Sequence, residues 1–293
     1  MVLFTFLLLS GLTTGSLYAL IALGIVIVNK STGVINFAHG ELFMFSGFVA
    51  WTLHVQMGVG YLLSLLITIA VGFALGMMTD RIAFRPIKKD DVVSLVLATV
   101  GLAFVFRGTA RVIWGGKGDY LSFPPITSPD PIVFGEILVI PQQLAVLAGA
   151  MVIMVVFAAF FRLTRAGKMM QAAADNAKAS RLVGIRIDRV YMWSFGTGAA
   201  IAAAAAVLMA PLTLLYPDMG FSFFIKGFAA AVLGGLISLP GAVLGGFCIG
   251  VIESLAGGYI SSSFMEVSAF VVIMLVLVVR PTGLLGFTGL RRV

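Results

Sequence analysis

Three polar side chains stand where a lipid-like sequence has little use for them. Asn36, His39 and Glu41 fall inside VINFAHGELFMFSGFVAWTLH, a stretch otherwise apolar enough to span a membrane. An ionisable group at membrane depth points by default to function, as part of a solute or proton path. The other reading places these residues at a membrane interface, where they satisfy the orphan backbone groups of a helix end. Both readings are open. Glu253 is a second acid within an apolar run, placed either to line a pathway or to bond a polar group on a neighbouring helix. The glycines Gly234, Gly235, Gly241, Gly245, Gly246 and Gly250 surround Pro240. They suit close helix packing, and they also permit bare carbonyls and amides able to hold the ends of a small zwitterion at a broken helix.

Other chemistries find no support in the residues. HExxH does not occur, His54 is remote from His39 in sequence, and the single cysteine, Cys248, can neither close an intrachain disulfide nor build a multi-cysteine metal site. GxxxxGK[ST] is also missing, because Gly116-Lys117 lacks both the upstream glycine and the following hydroxyl. We expect no nucleotide, metal or other cofactor on this chain and assign no catalytic residue. An intramembrane enzyme working through His39 and Glu41 is the rival to a transport role.

The elements that position these groups follow from composition. Of 293 residues, 60% are hydrophobic and only 11% charged, and the mean hydropathy is +1.12. Soluble domains carry roughly 25% charge. Apolar runs near 20 residues fit helices crossing a core of about 30 Å, and the short alternating segments of a membrane barrel are lacking. The sequence predicts an all-α, polytopic transmembrane helical bundle of about eight or nine spans in one domain, residues 1–293. The first span, Val2 to Val28, has no basic leader and reads as retained. Broken or re-entrant helices are expected in the last third, where Gly234, Gly235, Pro240 and Gly241 interrupt the apolar pieces.

Charge sets the topology. The longest polar interval, Arg162 to Arg189, holds seven basic residues against Asp175 and Asp188, so it is expected to stay cytoplasmic. A second basic loop contains Arg81, Arg85, Lys88 and Lys89, and the chain ends in a short basic tail. The stretch 114–137, with Lys117 against Asp119, Asp130 and Glu136, reads as the main external loop. Arg107 and Arg111 oppose the charge trend and are expected to snorkel or pair with nearby acids. The pattern places the N-terminus outside and the C-terminus in the cytoplasm. The net charge of +7 is explained by span ends rather than by nucleic acid. Within the polar interval, helix formers between Gly167 and Gly184 predict one or two short helices outside the bilayer. Leu182, Val183, Ile185 and Ile187 lie close to the basic residues, a mixture suited to docking on a partner protein.

Several pieces then resemble one family. TTGSLYALIALG (13–24), GVINFAHGE (33–41), DRIAFRPIKK (80–89), ASRLVGIRIDRV (179–190), KGFAAAVLGGLISLPGAVLGGFCIG (226–250) and RPTGLLG (280–286) occur in the order found in permease subunits of branched-chain amino-acid ABC importers, the LivH type. The resemblance implies a bacterial inner-membrane subunit paired with a related permease, two cytoplasmic ATPases that bind ATP and Mg, and a solute-binding protein outside. It also implies that the long cytoplasmic loop, about 162–190, seats in the ATPase. That role falls on Gly167, Ala173, Asp175, Lys178, Arg181, Leu182, Gly184 and Ile185. The substrate pathway is expected near Asn36, His39, Glu41, Gly234, Gly235, Gly241 and Glu253, nearly uncharged and suited to a leucine-like solute. Urea or a short amide is an alternative cargo, and an ATP-independent transporter or channel an alternative mechanism.

Overall fold

The computed structural model describes residues 2–87, 92–117, 120–128, 130–134 and 137–286. Lys88, Lys89, Asp119, Glu136 and the basic tail beyond 286 lie outside the described residues. The helices in order are α1 (Val2–Thr32), α2 (His39–Trp51), α3 (Tyr61–Thr79), α4 (Val92–Trp114), α5 (Pro141–Leu163) and α6 (Arg165–Asp175). They continue as α7 (Ala177–Leu182), α8 (Ile187–Met209), α9 (Met219–Gly234), α10 (Leu239–Tyr259) and α11 (Ser262–Val279). Single π turns extend α2 to Gln56 and α3 to Phe84. In the expected external loop, Ile132–Phe134 and Ile137–Val139 pair as a small antiparallel hairpin, with Val133 opposite Leu138.

Seven helices among the described residues are long and apolar enough to cross a membrane. With the short α2 and α9 this gives nine membrane segments among the described residues, within the expected eight or nine, and the chain is a multi-pass helical bundle. Its core is the antiparallel pair α1 and α8, the two most enclosed spans. Lipid tails are as apolar as leucine, so helices in a membrane associate through close backbone packing at small residues. That is the packing found here. A Cβ on Gly11 would lie 2.8 Å from the Cα of Val251, and one on Gly15 would lie 2.9 Å from the Gly246 carbonyl, which seats α1 on α10. Gly72 of α3 faces Ala199 and Ala203 of α8 in the same way, and Gly24 of α1 meets Gly198 of α8.

The contacts repeat with the halves exchanged. α1 packs on α10 and α8 on α3; α9 packs on α1 and α2 on α8; α4 lies on α2 and α11 on α9. The helices α1 to α4 and α8 to α11 therefore form two interlocked halves, with α5, α6 and α7 between them in sequence. Because α1 and α8 run antiparallel, the halves are oppositely directed.

Of the predicted interruptions, Gly234 and Gly235 end a helix, whereas Pro240 and Gly241 do not break one. Pro240 occupies the first turn of α10, where its missing N–H costs nothing, so α10 runs unbroken for 21 residues. The interruption lies at Gly235, whose φ of +103° turns the chain between α9 and α10. A second break lies outside the last third, at residues 33–38. Val34, Asn36 and Ala38 are buried there, and His39 at the start of α2 packs against Gly24. Gly24 is eight residues, about 12 Å, before the end of α1, so α2 begins inside the membrane layer. The loop after α8 likewise returns inward, and Gly220 in the first turn of α9 packs on Gly40 and Glu41.

Candidate functional site: a buried polar cluster and an exposed apolar tip

Where the starts of α2 and α9 meet, the structure gathers the polar residues that stand out in the sequence. Asn36 closes the turn into α2, its Oδ1 accepting from the Ala38 amide at 3.0 Å and its carbonyl accepting from the His39 amide. Thr99 of α4 accepts from the Phe37 amide at 3.3 Å. Asn36 thus serves the backbone of a helix end, but at membrane depth rather than at an interface. His39 is 1% exposed and its ring packs against Gly24 of α1.

Glu41 is ion-paired with Arg107 of α4. Arg107 Nε lies 3.6 Å from Asp218, and Arg111 Nη2 donates to both Asp218 oxygens at 2.8 and 2.7 Å. The four groups alternate in sign and sum to zero, which removes the cost of an unpaired charge in a membrane bundle. Arg107 and Arg111 do pair with acids, as expected; Asp218 is the partner that the sequence reading missed. Its signal was its place just before an apolar helix, at Asp218-Met219.

Glu253 lies elsewhere. On α10 it pairs with Lys226 of α9, and the lysine Nζ is 5.6 Å from the ring centre of Tyr18 on α1. Lys226 was the missed partner, although a lone lysine within FSFFIKGFAAAV is itself an intramembrane charge. The glycines form a third location. Gly234 and Gly241 pack backbone to backbone where α9 and α10 diverge. The carbonyls of Leu233 and Gly234 accept from the amides of Leu284 and Leu285 at 2.7 and 3.1 Å. These carbonyls serve the C-terminal segment and are not bare for a solute, so close packing accounts for the glycines. Asn36, His39 and Glu41 thus form one group, while Glu253 and the three glycines form two others.

The polar interval folds as the predicted short helices. Thr164 caps α6 by accepting from the Gly167 amide, and Asn176 caps α7 by accepting from the Ala179 amide. Gly167, Met170 and Ala173 form the buried stripe of α6. Gly167 rests on the Phe161 carbonyl, which also accepts from Gln171 Nε2. Gly167 and Ala173 therefore hold the loop to its own chain, whereas Asp175, Lys178, Arg181, Leu182 and Gly184 are on its surface. After α7 the backbone turns at Gly184, with φ of +87°. That turn lifts Leu182 and Val183 to 89% and 77% exposure. Beside them a concavity of about 480 Å³ is lined by Arg85, Arg181, Arg186 and Arg189 together with Asp188. The basic residues around the start of α8 share this surface with the tip, and Arg85 joins them from just after the π turn that extends α3.

The family described as "Branched-chain amino acid transport system / permease component" matches residues 7–279. This chain belongs to that family. It is 33% identical to the high-affinity branched-chain amino acid transport system permease protein BraD of Pseudomonas aeruginosa, over 98% of this chain and 97% of that one. With the permease protein LivH of Escherichia coli K12 it shares 32% identity, over 97% and 96%. Among solved structures, PsaBC from Streptococcus pneumoniae in complex with Fab superposes with a TM-score of 0.51 at 11% identity, covering 93% of this chain and 91% of that one. That likeness concerns the fold.

Proposed function

We propose that this chain is the permease subunit of an ATP-driven importer that carries branched-chain amino acids across a bacterial inner membrane. It works with a second permease subunit, two cytoplasmic ATPases that hold ATP and Mg, and an external solute-binding protein. Family membership over almost the whole chain carries the reading. The exposed apolar tip at Leu182 and Val183, framed by arginines, supports the coupling role.

The mechanism follows from how that tip is attached. Force applied to α7 reaches α6 through the shared cap Asn176, α5 through the contacts at Phe161, and α8 through the turn at Gly184. α8 is the antiparallel partner of α1 and packs along α3. Closure of the ATPases on ATP therefore moves the central pair, and with it the access side; hydrolysis resets the cycle. In this reading α6 and α7 are cytoplasmic, the N-terminus is outside and the C-terminus inside.

α4 and α11 are the least enclosed spans, each with 17% of its apolar window buried, and they hold equivalent positions in the two halves. A second subunit covers them, and the path runs along that seam. Phe104, Phe270 and Met274 face outward there, and they suit an aliphatic side chain whose burial is favourable.

Proteoliposomes with the permease pair, the ATPases and the binding protein test the proposal. Leucine, isoleucine and valine are expected to compete for ATP-dependent uptake, with urea failing to compete. Preferred uptake of urea or of a short amide would overturn the substrate assignment.

A further inference from the structure

A crevice of about 980 Å³ opens between α5 and α10. Both helices pack on α1, which forms the back of the crevice. Its walls are apolar, with Leu23 behind, Met154 and Phe157 on one side, and Val243 and Leu244 on the other. α5 and α10 are both long and apolar enough to span a membrane, so the apolar part of the cleft lies at membrane depth, where acyl chains are its natural filling.

The crevice ends at a pair of cations. Lys30 lies two residues before the end of α1 and Arg162 one residue before the end of α5, so both sit where the spans meet the aqueous boundary. Neither has an ion-pair partner among the described residues, and Asp175 is the one acid on the lining. An apolar slot at membrane depth closed by two unpaired cations matches the shape and charge of an anionic glycerophospholipid. Its acyl chains fill the slot, and its phosphate meets Lys30 and Arg162.

We propose that the crevice between α5 and α10 is a binding site for an anionic glycerophospholipid. The site lies next to α6, since Gln171 and Ala174 line the same crevice. A lipid seated there braces the joint through which α6 is held to α5.

Native mass spectrometry of the full chain in detergent, titrated with phosphatidylglycerol or phosphatidylcholine of matched acyl chains, tests the site. Two cations at the surface predict a roughly 10- to 30-fold preference for phosphatidylglycerol. In Lys30→Gln/Arg162→Gln the preference is expected to fall to about unity while phosphatidylcholine still binds, because the apolar slot is intact. Leu244→Trp, which fills the slot from a half-exposed position, should weaken both lipids together. Equal affinity of the two lipids for the native chain would overturn the proposal. So would an unchanged preference in the double variant, or a competing effect of inorganic phosphate equal to that of the lipid.

Discussion

Removing the lysine of the Lys226–Glu253 pair should damage this protein more than removing both charges. Glu253 is 2% exposed in its side chain and Lys226 14%, so both are largely out of water. Lys226→Met keeps the length and apolar stem of the side chain but leaves the Glu253 carboxylate without its cation. Breaking a buried pair at one end costs about 3–5 kcal/mol, whereas replacing both partners with apolar groups of similar volume is often neutral. For a protein of this size that loss corresponds to a fall in Tm of about 10 °C. Lys226→Met/Glu253→Leu should recover most of it. Thermal unfolding of the purified chain in detergent, followed by tryptophan fluorescence, makes the comparison. A single variant as stable as the native chain, or a double variant no better than the single, would refute the argument that the pair is a mutually dependent structural bridge between α9 and α10.

Three further outcomes follow from the same structure. Gly15→Leu forces a side chain against the Gly246 carbonyl and the backbone of Phe247; an overpacking cost of about 1–3 kcal/mol should appear as a lower Tm, with Gly15→Ala less affected. Glu41→Ala should destabilise the same unfolding transition more than Asp218→Ala, because Glu41 is 2% exposed and Asp218 51%. At Gly184, φ of +87° costs an ordinary side chain about 1–2 kcal/mol. Gly184→Asn should therefore couple ATP hydrolysis to uptake better than Gly184→Val, with both variants inserted in the membrane at native levels.

The bundle, its approximate span count and the short helices of the polar interval were legible in the sequence, because long apolar runs and clustered helix formers are local signals. The interlocking of the halves was not, since it rests on which glycine of α1 meets which glycine of α10, a matter of three-dimensional register. Pro240 misled for a related reason: proline breaks a helix interior but suits a first turn, and sequence alone does not say which it occupies. At the polar positions, residue type announced the charges Glu41 and Glu253 but not their partners Arg107 and Lys226, which lie 66 and 27 residues away. Leu182 and Val183 were legible as unusual, and the turn at Gly184 explains how the fold exposes them.

The central claim is that separate ATPases drive this chain through that tip. ATP-dependent leucine uptake and ATP hydrolysis, measured together in proteoliposomes of the assembled importer, test it most directly when the native chain is compared with Leu182→Asp/Val183→Asp. Both side chains are exposed, so stability should change by less than about 0.5 kcal/mol. Uptake should fall roughly tenfold or more, as expected for a lost docking anchor, while the ATPases continue to hydrolyse ATP. Native uptake in the double variant, or leucine uptake by the chain without ATPases, would contradict the account.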